Sequence, residues 1–163
     1  MPSYPDTLIR RILDETRTIA MVGASANWVR PSNFAMKYLQ HKRFRVIPVN
    51  PASAGSEIHG EICYASLADV PDGFDIVDIF RKSTDAGPIV DEAIDLKDIK
   101  GLKVIWMQLG VIDEAAAARA EAAGLTVIMD RCPKIEFGRL NHELSWSGIN
   151  SGLISSKRPR LRR

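Results

Sequence analysis

The chain has 163 residues, 45% of them hydrophobic, enough for one domain with a real core and too few for a nucleotide-binding domain joined to a full catalytic domain. Its formal net charge of +2 is unevenly placed: Lys157, Arg158, Arg160, Arg162 and Arg163 carry five positive charges, and subtracting these leaves −3 for residues 1 to 156, which argues against a nucleic-acid-binding body. Cys63 and Cys132 lie far apart without metal-ligand spacing, no apolar signal region opens the chain, and no apolar run reaches the roughly 20 residues of a membrane helix, so the expectation is a reduced, cytoplasmic protein with no metal, membrane or nucleic-acid partner.

After Pro5, Asp6 is placed to cap a short helix whose Leu8, Ile9, Ile12 and Leu13 make one stripe. Residues 19 to 23 are apolar without alternation, as a strand covered on both faces is. This run stops at Gly23, passes through Ala24 and Ser25, and gives way after Arg30-Pro31 to a helix from about residue 32 or 33 to Gln40. A strand, tight turn and helix start leave the first helical N–H groups unpaired at the positive end of the helix dipole, which suits an anion such as phosphate. The same residues also serve an ordinary strand-to-helix turn that binds nothing.

Residues 44 to 49 read as the second strand, closed by Asn50-Pro51, and 52 to 60 as a loop. Ile62-Cys63-Tyr64 is a brief extended piece, and 66 to 69 a helical turn. The third main strand covers 76 to 80, and a helix follows from residue 84 or 85 to about Leu96, with Gly87 and Pro88 in its first turn. Another strand runs over 103 to 108 and ends in Leu109-Gly110. Asp113 caps an alanine-rich helix to Ala123, Gly124 stops it, and 125 to 129 is the last strand. Cys132-Pro133 then opens a short helix over 134 to 139. Strands alternating with helices predict an α/β domain over residues 1 to 140: a single, doubly wound, mainly parallel sheet with helices on both faces. Residues 141 to 163 read as an arm, with Trp146, Ile149, Leu153 and Ile154 available to pack on the body or a second subunit, and then a disordered basic tail.

In an open α/β sheet, ligands bind beyond the carboxyl ends of the strands. That singles out Gly23-Ala24-Ser25, Asn50-Pro51, Phe80-Arg81, Gln108-Leu109-Gly110 and Asp130-Arg131-Cys132. A dinucleotide is resisted at two points. Counted from Gly23, the later glycines of GxGxxG fall on Ser25 and Trp28, and the second strand ends at Asn50 instead of the acid that holds an NAD ribose. An adenosine bearing a ribose phosphate meets no repelling carboxylate there. Arg30, Arg81, Arg131 and Lys134 stand at or just after strand ends. Each alone reads equally as a solvated charge; together they favour an anionic ligand. His41, His59 and His142 are scattered and read as surface or loop residues. Cys132 fits two roles, a helix-capping cysteine whose thiol the dipole activates, or a small buried cysteine at a turn.

Several ordered motifs carry a family resemblance: Gly23-Ala24-Ser25 with Arg30-Pro31-Ser32, Val46-Ile47-Pro48-Val49-Asn50-Pro51, Val77-Asp78-Ile79-Phe80-Arg81, Trp106-Met107-Gln108-Leu109-Gly110 and Met129-Asp130-Arg131-Cys132-Pro133. Over about residues 15 to 140 the chain resembles the small stand-alone CoA-binding proteins of bacteria, whose Rossmann-like domain is also the CoA-binding part of succinyl-CoA synthetase α subunits. The resemblance implies that the 23 to 30 loop (Gly23, Ala24, Ser25, Arg30) and Asn50-Pro51 hold the phosphates and adenosine of coenzyme A or an acyl-CoA. It also implies that Phe80 and Arg81 flank the site and that Gln108, Gly110 and Cys132 border the pantetheine arm. Those synthetases keep their phosphohistidine and ligase machinery in further domains that this chain does not match, so acyl-CoA synthesis by this chain alone is not expected. Two rivals stand beside a CoA-binding module without its own catalysis: an NAD(P)-dependent oxidoreductase, disfavoured by Ser25, Trp28 and Asn50, and a CoA-responsive regulator whose arm or tail meets a protein partner or a second copy.

Overall fold

The computed structural model describes residues 2 to 142, so the arm beyond His142 and the basic tail lie outside the described residues. In chain order the elements are α1 (Asp6–Glu15), β1 (Thr18–Val22), α2 (Pro31–His41), β2 (Arg45–Val49), β3 (Glu57–Ile58), β4 (Glu61–Ile62), β5 (Ile76–Ile79), α3 (Ser83–Lys100), β6 (Val104–Met107), α4 (Glu114–Ala122), β7 (Thr126–Ile128) and α5 (Pro133–Leu140). Five strands pair in parallel in the order β2-β1-β5-β6-β7. Every residue of β5 and β6 is buried, which is why their sequences show no alternation: a strand covered on both faces must be apolar on both. Ile19, Met21, Ile76, Val104 and Trp106 belong to the core shared with α1, α2 and α5. Ala20, Ile47, Val77 and Ile105 point the other way, into the core shared with α3 and α4.

The chain leaves β1 for β2 on one side and returns to β5 on the other. The connections after β1 and β5 therefore diverge, which opens a cleft at the carboxyl ends of these two neighbouring strands. Val22 is level with both Val49 and Ile79, so Gly23, Asn50 and Phe80 emerge together at this point.

Three local expectations need correction. The segment expected as a loop over 52 to 60 holds a short helical turn (Pro51–Ser53) and half of an antiparallel hairpin, β3 with β4. Its two-residue turn places both His59 (φ 47°) and Gly60 (φ 85°) in the left-handed region that a tight hairpin demands, and histidine gives little warning of that. Asp6 does not cap α1. It lies inside the first turn, Pro5 is the capping residue, and the Asp6 carboxylate instead accepts from Arg139 of α5 at 3.0 and 3.2 Å. Finally, α3 starts earlier and ends later than expected, closed by Gly101 in the left-handed region. Pro88 thus sits in the second turn, where it lacks the N–H that would bond the Thr84 carbonyl. The expected cap at Asp113 is present, its side chain accepting from the Ala116 N–H at 2.9 Å.

Candidate functional site

Gly23 controls the approach of the first and third main strands. Its N–H donates to Val49 O at 2.8 Å, while Phe80 N–H donates to Val22 O at 2.8 Å, so the chain beyond β5 passes directly against the loop. With φ at +89°, a Cβ on residue 23 would lie 2.6 Å from the Phe80 carbonyl oxygen. Only glycine meets both conditions. Ala24 is packed in the core, and its carbonyl oxygen accepts from Asn50 Nδ2 at 2.9 Å. Asn50 Oδ1 accepts from the Ala52 N–H at 3.0 Å, so this carboxamide ties the ends of β1 and β2 together. Ser25 is tied to α2 at both ends of its backbone: its N–H donates to Ser32 Oγ at 3.1 Å and its carbonyl accepts from Asn33 Nδ2 at 2.9 Å. Pro31 occupies the first helical position of α2, where its missing N–H costs nothing, and Arg30 precedes it as the cap.

Three depressions adjoin along this edge and share walls. The middle one, about 560 Å³, is bordered by Gly23, Ser25, Arg30, Ser32 and Asn50. On one side a depression of about 350 Å³ lies between Val49, Pro51, Leu67, Pro88 and Ile89. On the other a largely apolar depression of about 630 Å³ is walled by Val29, Phe34, Ala35, Gln108, Cys132 and Ile135, with Gly110 at its rim. Phe80 borders two of them, and Arg81 borders all three. The edge thus collects Gly23, Ser25, Arg30, Asn50, Pro51, Phe80, Arg81, Gln108, Gly110 and Cys132, all chosen from the sequence, whereas Ala24 faces the core.

Of the four strand-end cations, Arg131 is drawn elsewhere. Arg131 donates to Pro2 O and to Asp130 O, each at 2.7 Å, and stacks over the Tyr4 ring, so the segment preceding α1 holds it away from the groove. Lys134 borders the apolar depression and lies 5.8 Å from the centre of the Tyr38 ring. Asp130 takes φ 58°, a conformation aspartate tolerates better than most residues, and its Oδ1 accepts from the Gly110 N–H at 2.7 Å. That bond fixes the wall from Gln108 to Gly110.

Near Cys132, a residue on the wall of the apolar depression, lies an acid that sequence reasoning missed. Gln108 Nε2 donates toward Cys132 Sγ at 3.6 Å, while Gln108 Oε1 is buried without a partner. On the neighbouring strand β5, level with Trp106, Asp78 is fully buried with both carboxylate oxygens unpartnered. Burial holds its pKa well above the ordinary carboxyl value, so the group is favoured in its neutral form. An acid inside an otherwise apolar strand was the signal available in the sequence. Cys132 caps α5, as expected, yet its thiol is not activated. Burial pushes its pKa up, the nearby Asp78 adds to this, and the N–H groups of Ile135 and Lys134 only partly offset it. A helix N-terminus acts on a thiol through roughly half a unit charge, and here desolvation outweighs it. Cys63, also buried, is shifted the same way. Iodoacetamide at pH 7 should therefore modify both cysteines more slowly than a free cysteine, with rates still climbing above pH 9. Rapid alkylation of Cys132 at pH 7, located by peptide mass spectrometry, would contradict this.

Among the described residues no group of three or more His, Cys, Asp or Glu side chains is placed to hold a metal ion, and no helix is long and apolar enough to cross a membrane. Residues 17–138 match the family described as a CoA binding domain. The uncharacterized protein YneT of Bacillus subtilis is 33% identical over 127 residues, spanning 78% of this chain and 90% of its own. A hypothetical protein from Pyrococcus horikoshii OT3 superposes with a TM-score of 0.78 at 38% identity, over 85% of this chain and 94% of that one. The dinucleotide forming acetyl-coenzyme A synthetase 1 of Ca. Korarchaeum cryptofilum shares the fold, with a TM-score of 0.57 at 24% identity over 74% of this chain and 26% of its own. The matched stretch begins one residue before β1 and takes in nearly all of α5, and the chain belongs to the CoA binding domain family, carrying a Rossmann-like, doubly wound domain that binds coenzyme A or an acyl-CoA.

Proposed function

We propose that the shared edge is the coenzyme A groove, with adenosine in the 350 Å³ depression, the phosphates in the middle one and pantetheine in the 630 Å³ one, and that the role of the domain is binding without chemistry of its own. The observation that carries this assignment is the order of polarity. An apolar, a polar and an apolar compartment adjoin in one groove, the same order as adenine, phosphates and pantetheine arm, and Arg81 stands at their junction. Residue 23 lets backbone approach backbone at the phosphate end, the N-terminus of α2 brings the positive end of its dipole there, and Arg30, Arg81 and Lys82 add formal charge. Asn50 supports the loop that shapes this compartment and presents no carboxylate to a ribose phosphate.

Titration calorimetry tests the assignment. CoA should bind more tightly than dephospho-CoA and much more tightly than NAD. Arg81→Ala should weaken CoA binding by about 10- to 100-fold, since a charge-assisted phosphate contact contributes roughly 1.5 to 3 kcal/mol. Its effect on stability should stay under about 0.5 kcal/mol, because its ion pair with Asp85, at 3.6 Å, joins two half-exposed side chains. Equal affinity for NAD and CoA, or a ligand-free Arg81→Ala protein that melts far below the wild type, would remove Arg81 and the groove from this role.

A further inference from the structure

We propose that the ligand this groove is shaped for is an acyl-CoA with an apolar chain of medium length, whose acyl group lies on the rim formed by Val29, Phe34, Leu109 and Ile135. The inference rests on the coenzyme A reading of the groove and adds the class of thioester.

Large apolar side chains left in water are ordinary when scattered and informative when they converge. Val29 is 76% exposed, Phe34 54%, Leu109 57% and Ile135 41%, and all four border the same depression. Trp28 and Ile112, also exposed, adjoin this wall in sequence next to Val29 and Val111. The four come from separate places: the loop before α2, the first turns of α2 and α5, and the connection after β6. Nothing local in the chain requires them to meet. Only the ends of β1, β6 and β7 bring them together.

Free CoA leaves this rim without a purpose. A pantetheine arm carries two amides and ends in a thiol, and the wall offers it one carboxamide, Gln108, whose oxygen is buried without a partner and whose N–H points to Cys132 Sγ. Its unpartnered Oε1 accepts, so Gln108 marks the place for the last N–H of the pantetheine arm, the amide just before the thioester. Gln108, Leu109, Cys132 and Ile135 all lie outside the polar compartment that Arg30, Ser32 and Arg81 border, so they stand at the far end from the phosphates. An acyl chain continuing past Gln108 meets Leu109, Ile135, Val29 and Phe34 and removes their surface from water.

Titration calorimetry of the full chain with CoA and with acetyl-, butyryl-, hexanoyl- and octanoyl-CoA is the test. Affinity should tighten with chain length, by up to about fourfold per methylene, the equivalent of ~0.8 kcal/mol for a buried methylene, with a binding heat capacity that grows more negative. Leu109→Ser and Ile135→Ser should flatten that dependence. Should either variant fail to fold, the wild-type series decides alone. Binding of CoA with an affinity that is constant or weaker along the series overturns the acyl inference and leaves the CoA groove standing. Failure of CoA and every thioester to bind overturns both. A constant series accompanied by a concentration-dependent dimer in sedimentation assigns the rim to contact between copies of this chain, and likewise overturns the inference.

Discussion

Gly23→Ala should destabilise the domain by about 2 to 4 kcal/mol and abolish CoA binding. A left-handed alanine costs about 1 to 2 kcal/mol by itself, and here the added Cβ also meets a carbonyl oxygen at 2.6 Å. That oxygen belongs to Phe80, at the end of a strand whose neighbours on both sides hold it in register, so it cannot yield without disturbing the pairing of β1 with β5. Gly55→Ala makes the matching control. Gly55 has nearly the same φ, +86°, but a Cβ there meets nothing within 4 Å, so the conformational term alone should appear, with binding retained. Urea unfolding and CoA calorimetry on the two variants read out both effects. If they lose equal stability and both bind CoA, the close passage of Phe80 against the loop is dispensable.

Asp78→Asn should raise stability at pH 8 relative to pH 4, by roughly 1.4 kcal/mol for each pH unit that separates the unfolded from the folded carboxyl pKa, because the amide carries no proton linkage. The sign follows from burial, which raises the carboxyl pKa well above its ordinary 3.8 in the folded protein. Below that ordinary value both folded and unfolded chains carry the proton, and no penalty exists. As pH rises above it, the unfolded chain releases the proton while the folded chain keeps it, so stability falls continuously up to the folded pKa. Asparagine has no proton to release. The stability difference between wild type and variant, read from denaturation curves, should therefore move in the variant's favour from pH 4 to pH 8. A difference that is constant with pH, or that moves toward the wild type, would mean that the carboxylate is ionised and satisfied in the folded protein.

Local chemistry explains what was legible in the residues themselves. The runs around Met21, Val77 and Ile105 lack alternation, which announces strands covered on both faces and hence a parallel sheet between helices. Asp113 and Cys132-Pro133 mark helix starts because a cap is decided within one turn of chain. Glycine at 23 followed by small residues and Arg30-Pro31 identifies the strand-to-helix turn between β1 and α2, and the ordered motifs identify the family. The hairpin around His59 escaped because its turn uses a residue with no strong preference for the left-handed region.

The strand order decided the rest. That Gly23 is needed for Phe80, far along the chain, follows only when β1 and β5 are seen to be neighbours. Arg131 stands at a strand end and reads equally as a phosphate contact or a solvated charge, yet Pro2 and Tyr4, distant in sequence, take its guanidinium. Cys132 reads either as an activated thiol before a helix or as a small buried cysteine at a turn, and burial in the folded chain decides for the second. The exposed rim of Val29, Phe34, Leu109 and Ile135 exists only as a juxtaposition of separate segments. Periodicity, capping and turn chemistry act over a few residues and are written in the chain, whereas desolvation and charge pairing depend on which distant surfaces the sheet brings into contact.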